Sequence, residues 1–151
     1  MARISKIYRM IISALLALLG FSCVNENGPF YAEYGVPSAT YKAKGIVVSE
    51  SDNSPIKGIC VELKRYARYD EYGPIGTAYT NSDGSFFLEG SEFPRQKLYV
   101  EFIDVDGKLN GSFVKMEIEA DYTNKTFTGG SGHWYVGEAE IDLGTIKMKP
   151  E

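Results

Sequence analysis

The chain has 151 residues, with 16 basic and 20 acidic side chains, one histidine and a formal net charge of −4. This acidic balance disfavours nucleic acid as a partner, because the phosphate backbone attracts basic surfaces. Two cysteines and one histidine are too few for a disulfide-rich scaffold or for a structural zinc site with four nitrogen or sulfur ligands. The length suits a single domain.

The first 22 residues have the layout of an export signal. Arg3, Lys6 and Arg9 precede an apolar stretch, Met10 to Phe21, which is shorter than the roughly 20 residues of a membrane-spanning helix. The sequence LGFSC, ending at Cys23, then resembles a bacterial lipobox. This resemblance implies cleavage before Cys23, lipidation of its thiol and attachment to a membrane by acyl chains.

The alternative for this segment is an ordinary secretory signal that happens to contain a cysteine, although no A-x-A cleavage site follows it. Removal of the signal would lower the 16 basic residues to 13 against 20 acidic ones. If Cys23 is lipidated, Cys60 has no partner for an intramolecular disulfide. We therefore expect a lipid-anchored protein of the cell envelope, at the outer membrane. The sequence leaves both its periplasmic and its surface face open.

Residues 23–40 are predicted to form a flexible tether, because Gly28-Pro29 and Gly35 to Pro37 interrupt any regular period. Residues 41–151 form the predicted domain. In this part of the chain short β-type runs alternate with turn signals, and no long run has helical periodicity. The predicted strands, in chain order, are Tyr41 to Ser49, Gly58 to Tyr66, Ile75 to Asn81, Ser85 to Leu88, Leu98 to Val105, Phe113 to Ala120 and Ile141 to Met148.

Two of these strands show clear alternation. Ala43, Gly45 and Val47 should face the core, as should Ile59, Val61 and Leu63. Asp83-Gly84 is a hairpin signal between two strands, and turns containing Asp106-Gly107 and Asn110-Gly111 predict a second antiparallel pair. Seven short strands without helices favour an all-β fold, an antiparallel two-sheet sandwich.

Three motifs carry a resemblance to the carboxypeptidase regulatory-like domain, which has a transthyretin-like (prealbumin-like) fold. They are Pro55-Ile56-Lys57-Gly58, the T-x-x-D-G-x-F run Thr80 to Phe86, and Leu143-Gly144-Thr145-Ile146. The resemblance covers nearly all of the chain after the tether. It implies an accessory module without catalytic residues.

A narrower likeness rests on the lipobox together with YGVPSATYKAKGIVVS, SEFPRQKLYVEF, FTGGSGHWY and DLGTIKMKP. These runs resemble the radical SAM-associated lipoproteins of gut Gram-negative bacteria, which take their name from a neighbouring radical SAM gene. This resemblance implies an alternative role, in which the lipoprotein is a substrate of that enzyme. The modified position would lie in GGSGHWY or at Cys60.

Catalytic and metal chemistry find little support in the sequence. His133 would need a serine and a carboxylate beside it, and no nucleophile elbow is present. Asp104, Asp106 and Asn110 could suggest a calcium loop, but the spacing lacks the terminal glutamate, and a turn is favoured. We therefore expect no enzyme activity, no metal and no cofactor.

Aromatic residues concentrate in two long segments, Ala67 to Pro74 and Asp121 to Glu140. Tyrosine and tryptophan among glycine and serine are typical of recognition surfaces. The candidate binding residues for an envelope protein partner are Trp134, Tyr135, His133, Tyr69 and Tyr72. The alternative is that both loops fold back and cap the core. For Cys60, either a partly accessible thiol or burial under a neighbouring loop is expected.

Overall fold

The computed structural model describes residues 35–68 and 71–151. The predicted signal peptide, Cys23, most of the predicted tether and Tyr69 lie outside this part of the chain. The described residues form seven strands: β1 Ser38–Ser49, β2 Ile59–Lys64, β3 Gly76–Tyr79, β4 Ser85–Glu92, β5 Lys97–Asp104, β6 Met116–Asp121 and β7 Tyr135–Met148.

The strands build two sheets that enclose one core. One sheet has the order β4-β1-β7 and the other the order β3-β2-β5-β6. The predicted all-β two-sheet sandwich is therefore confirmed. All pairs are antiparallel except β1–β7, which run parallel with register shifts between Ser38 and Ala39 and between Lys44 and Ile46. The first strand begins at Ser38, three residues before the predicted start at Tyr41.

The core follows the predicted alternation. Ala43, Val47 and the three apolar residues of β2 are buried. Large aromatic side chains fill the space between the sheets in edge-to-face contacts: Phe86 with Phe102 at 5.6 Å, and Tyr41 with Tyr122 at 5.0 Å between ring centroids. Such edge-to-face pairs add to the stabilisation that burial of apolar area already provides.

The hairpin predicted at Asp83-Gly84 is wrong in its pairing, because β3 and β4 belong to different sheets. The turn itself forms, and Gly84 has a φ of 76°. The N–H of Thr80 donates to the carbonyl of Ile59, while the carbonyl of Gly84 accepts from Val47. These bonds draw the two sides of the turn towards opposite sheets, so local turn chemistry did not decide strand pairing.

Thr80 links this turn to β2 through a buried hydroxyl. Its Oγ1 donates to the carbonyl of Ile56 at 2.7 Å and accepts from the N–H of Ile59 at 3.0 Å. Because Thr80→Val leaves both backbone groups without a partner, we expect a loss of about 1–3 kcal/mol in the free energy of unfolding. Urea denaturation measures it. Thr80→Ser keeps the hydroxyl and should lose less than half as much.

The outer face of the four-stranded sheet carries a buried ionic cluster. Lys64 Nζ lies 3.2 Å from Glu101 and 3.7 Å from Glu117, and Lys115 lies 2.7 Å from Glu101. The chain after β2 folds over this cluster. Lys64 Nζ donates to the carbonyl of Arg68, and the N–H of Arg68 donates to Glu117. Hydrogen bonds from Lys64 and to Glu117 thus hold the loop after β2 against the sheet.

Candidate functional site

The end of the sandwich where β1 begins gathers most of the sequence-predicted binding residues. It is formed by residues 35–37 and by the connections 65–75, 93–96 and 122–134. The registers place these segments together, because Ala39 pairs with both Glu92 and Gly137. We call it the entry end, since the chain enters the domain there. The opposite, distal end consists of 50–58, 80–84, 105–115 and 149–151.

Trp134 closes the entry end beside the first described residue. Its backbone carbonyl accepts from the N–H of Ser38 at 2.8 Å. Its indole ring lies against Gly35, where any side chain would overlap the ring. The ring remains 42% exposed. Trp134 is therefore held in place by β1 and still available at the surface.

The sequence placed Tyr135 in a loop, and this prediction is wrong. Tyr135 is the first residue of β7. It is half-buried, and its hydroxyl donates to Thr40 Oγ1 at 3.1 Å. The predicted loop to Glu140 was too long because glycine obscured the alternation of Gly137 and Ala139, both of which are buried. Paired bonds between Thr128 and Glu138 extend this region into a hairpin.

Two further residues lie at this end that were not predicted as site residues, Phe93 and Arg95. Tyr41 Oη donates to the carbonyl of Arg95 at 3.0 Å and accepts from its N–H, which fixes the turn between β4 and β5. Phe93 is exposed on that turn. A phenylalanine followed by proline between two strands was the available signal, since a strand rarely continues through proline.

Arg95 and Tyr66 form a contact across this end. The guanidinium carbon lies 5.0 Å from the centre of the Tyr66 ring, and Nη2 donates to its hydroxyl at 3.2 Å. A cation over an aromatic face is attracted by the ring quadrupole. Within residues 35–68 and 71–151, Arg95 makes no ion pair and its Nε has no hydrogen-bond partner. Arg95 therefore leaves a positive charge that no described carboxylate neutralises.

The remaining sequence-predicted site residues are placed as follows. Tyr72 is 76% exposed, and His133 is exposed beside Trp134. Gly73, next to Tyr72, accepts from Arg65 Nη1 at 2.9 Å, and Arg65 in turn pairs with Glu92 at the end of β4. These bonds bring Tyr72 to the entry end. Tyr69 lies outside the described residues.

Cys60 points away from the core, as its position in β2 predicted, yet the residue is buried. Burial raises the pKa of its thiol, and a hydrogen bond with Tyr79 only partly offsets this effect. The thiolate is the reactive form of cysteine. Of the two alternatives expected for Cys60, an accessible thiol is therefore wrong and a buried thiol is confirmed.

The acidic turn after β5 uses its carboxylates to hold its own backbone. Asp104 accepts from the N–H groups of Asp106 and Phe113, and Asp106 bonds with Asn110. Across the described residues, histidine, cysteine and carboxylate side chains nowhere gather in a group of three that could hold a metal ion. The turn expected from the sequence accounts for these residues.

His133 makes no hydrogen bond to a serine or carboxylate within the described part of the chain. A shallow pocket of 330 Å³ opens instead on the three-stranded sheet, beside the bulge in β1. Lys44, Phe86 and Asp142 contribute to its walls. Lys44 is engaged by Glu140, and Asp142 accepts from the N–H of Gly144. Both charged side chains of this pocket are therefore already engaged by neighbouring groups.

The fold and this site define a two-sheet β-sandwich with an aromatic, positively charged end. No family model and no curated protein matches the sequence. The described residues include no helix long and apolar enough to cross a bilayer.

Solved structures resemble the chain only distantly. The dioxygenase domain of a dioxygenase–carbohydrate-binding fusion from Streptomyces sp. SirexAA-E has a TM-score of 0.39 at 15% identity, covering 82% of this chain and 96% of that one. The major pilin subunit BcpA of Bacillus cereus gives 0.41 at 15% identity, with coverages of 75% and 31%. The 3-chlorocatechol 1,2-dioxygenase of Rhodococcus opacus 1CP gives 0.43 at 11% identity, with coverages of 92% and 78%. At these values the likeness carries no argument about function.

Proposed function

We propose that the protein is a lipid-anchored, non-catalytic interaction domain of the bacterial cell envelope, attached to the outer membrane through Cys23. The observation that carries the proposal is the entry end, where the exposed side chains of Tyr66, Tyr72, Phe93 and Trp134 share one end of the domain with its first described residues. A surface that serves recognition needs large apolar area with polar handles, which tyrosine and tryptophan supply. The entry end is the surface we propose for contact with another envelope component, protein or lipid.

The family likeness forms part of the same proposal, namely a transthyretin-like domain within the radical SAM-associated lipoproteins. The motifs that carry it fall at structural positions. Pro55 to Gly58 directly precedes β2, Thr80 to Phe86 crosses from β3 to β4, and Leu143 to Ile146 lies in β7. Their roles in turns and strands support an accessory module rather than a reaction centre.

A second candidate function is that the protein is a substrate for modification by the neighbouring radical SAM enzyme. Exposure of Ser131, Gly132 and His133 favours it, because an enzyme could reach this stretch without unfolding a strand. Burial makes Cys60 a poorer target than the GGSGHWY loop. A mass above that of the lipidated chain, localised to residues 129–135, would support this role.

The anchor is tested by the variant Cys23→Ala. We expect the native protein to partition into the detergent phase of a Triton X-114 extract and to have the mass of a chain that begins at Cys23 plus diacylglycerol and an acyl chain. The variant should lack the lipid mass, because it has no thiol at position 23 to receive the diacylglycerol.

Cys60→Ala is the matched control, since it removes the other cysteine of the sequence. It should keep the lipid mass and the detergent partition of the native protein. A native chain cleaved at another position, or an unlipidated Cys23, would contradict the proposed anchor.

A further inference from the structure

The entry and distal ends differ in the type of apolar side chain they expose. At the entry end these side chains are Val36, Tyr66, Tyr72, Phe93 and Trp134. At the distal end they are the aliphatic residues Val105, Leu109 and Val114. Aromatic rings with a polar atom are the residues that prefer the boundary between hydrocarbon and water. The aromatic composition of the entry end therefore suits the headgroup level of a bilayer.

Contacts within the domain order the chain around Trp134, Tyr66 and Phe93 before any partner arrives. Trp134 is fixed through Ser38 and Gly35, and Tyr66 lies against Arg95. The turn that carries Phe93 is tied to the core by the hydroxyl of Tyr41. The backbone that carries these residues is therefore ordered before docking, which favours binding.

The two ends also differ in charge, and the entry end is the more basic. Arg95 and Lys125 lie in entry-end segments and make no ion pair with a described residue. The distal turns instead carry carboxylates and ammonium groups in nearly equal number, with Asp52, Asp83 and Asp106 beside Lys57, Lys108 and Lys149. A surface of anionic phospholipids attracts basic groups and repels carboxylates close to it. The charges thus favour an orientation with the entry end against the lipid.

The position of the proposed anchor indicates that the partner of the entry end is the membrane itself. Cys23 precedes Gly35 by twelve residues, so a fully extended tether holds the entry end within about 40 Å of the lipidated cysteine. A tethered surface meets its partner at high effective concentration, and weak contacts then suffice for occupancy.

We propose that the entry end docks on the phospholipid surface of the membrane that holds the anchor, with Trp134, Phe93, Tyr66 and Tyr72 at headgroup level. This inference rests on the proposed lipid anchor, and it names the partner of the proposed interaction surface. The distal end then points away from the membrane.

The test uses the full mature lipoprotein in vesicles of phosphatidylethanolamine and phosphatidylglycerol. Trp134 is the one tryptophan of the sequence, so its fluorescence reports on the entry end alone. With lipids brominated near the headgroup, we expect its emission to fall by about half, because the ring lies at the interface. Serine in place of Tyr66, Tyr72 and Phe93 together should reduce this quenching while the protein still floats with the vesicles.

The matched control moves the probe to the distal end, in the double variant Trp134→Phe with Leu109→Trp. Leu109 is 80% exposed, so the new ring should be solvated and unquenched. Equal quenching at both positions, or no quenching at Trp134 in protein that floats, would overturn docking and leave the anchor standing. If the entry end instead binds an envelope protein or a second copy of the chain, Trp134 should show no quenching in protein that floats. Protein that fails to float would instead contradict the anchor.

Discussion

Phe86→Ala is expected to lower the free energy of unfolding by about 3–5 kcal/mol. Phe86 is 3% exposed and packs edge-to-face on Phe102, so that the two rings join the sheets across the core. Truncation removes the apolar contacts of the ring and leaves a cavity that the surrounding strands can fill only in part. Urea denaturation followed by circular dichroism measures the loss.

The next residue along β4 provides the control for this prediction. Phe87 is 52% exposed on the outer face of the same strand, so Phe87→Ala removes a ring of equal size from solvent contact. Its cost should stay within about 0.5 kcal/mol. Similar losses for the two variants would show that the core does not lie where the strand alternation places it.

Glu101→Leu is expected to destabilise the protein by about 3 kcal/mol. The Glu101 carboxylate lies between Lys64 and Lys115 under the loop after β2, and the side chains of Lys64 and Glu101 are only 7% and 6% exposed. The variant leaves the Lys64 ammonium buried with Glu117, at 3.7 Å, as its only described carboxylate, beside the carbonyl of Arg68. A buried charge with a weakened partner is costly, because the lost hydration is not replaced.

A double-mutant cycle separates the pair from its surroundings. Lys64→Met combined with Glu101→Leu removes both charges and should recover most of the stability that Glu101→Leu loses. Chemical denaturation of the four proteins gives the coupling energy. A double variant that is as unstable as the sum of the single variants would contradict the ion pair.

The same residue makes the stability depend on pH. Burial alone would raise the pKa of Glu101, but the hydrogen bonds from Lys115 and Lys64 outweigh burial and hold that pKa below its ordinary value. Its contribution is therefore complete above the pKa of the unfolded chain and is lost as the pH falls through the lower pKa of the folded protein. Acidification should cost the wild type more stability than it costs Glu101→Leu.

The strands were predictable from sequence because their faces alternate in a readable way. In β2, the apolar residues Ile59, Val61 and Leu63 are separated by polar or small ones, and this period of two is enough to place a strand on a core. The turn at Asp83-Gly84 was equally readable, because only a residue tolerant of positive φ fits there. Its assignment to a hairpin failed because pairing depends on contacts distant in sequence.

The residues of the entry end were also predictable from the sequence only in part. Trp134, His133 and Tyr72 stood out from composition, whereas Phe93 and Arg95 did not, since a four-residue connection between strands has no periodicity of its own. What brings them together is the alignment of β1 with β4 on one side and with β7 on the other. Register is a property of paired strands, and no single segment contains it.

The sequence by itself determined an all-β domain and its buried faces, because both are written in local runs of residues; the export signal and the lipidation of Cys23 are predictions from the same kind of local pattern. Only the tertiary structure decided the two-sheet order, the parallel β1–β7 pair and the burial of Cys60. It also decided that Tyr66, Tyr72, Phe93 and Trp134 share one end of the sandwich, while Tyr79 and Phe87 are exposed elsewhere on it. These features arise from hydrogen bonds and packing between residues far apart in the chain, which local periodicity does not encode.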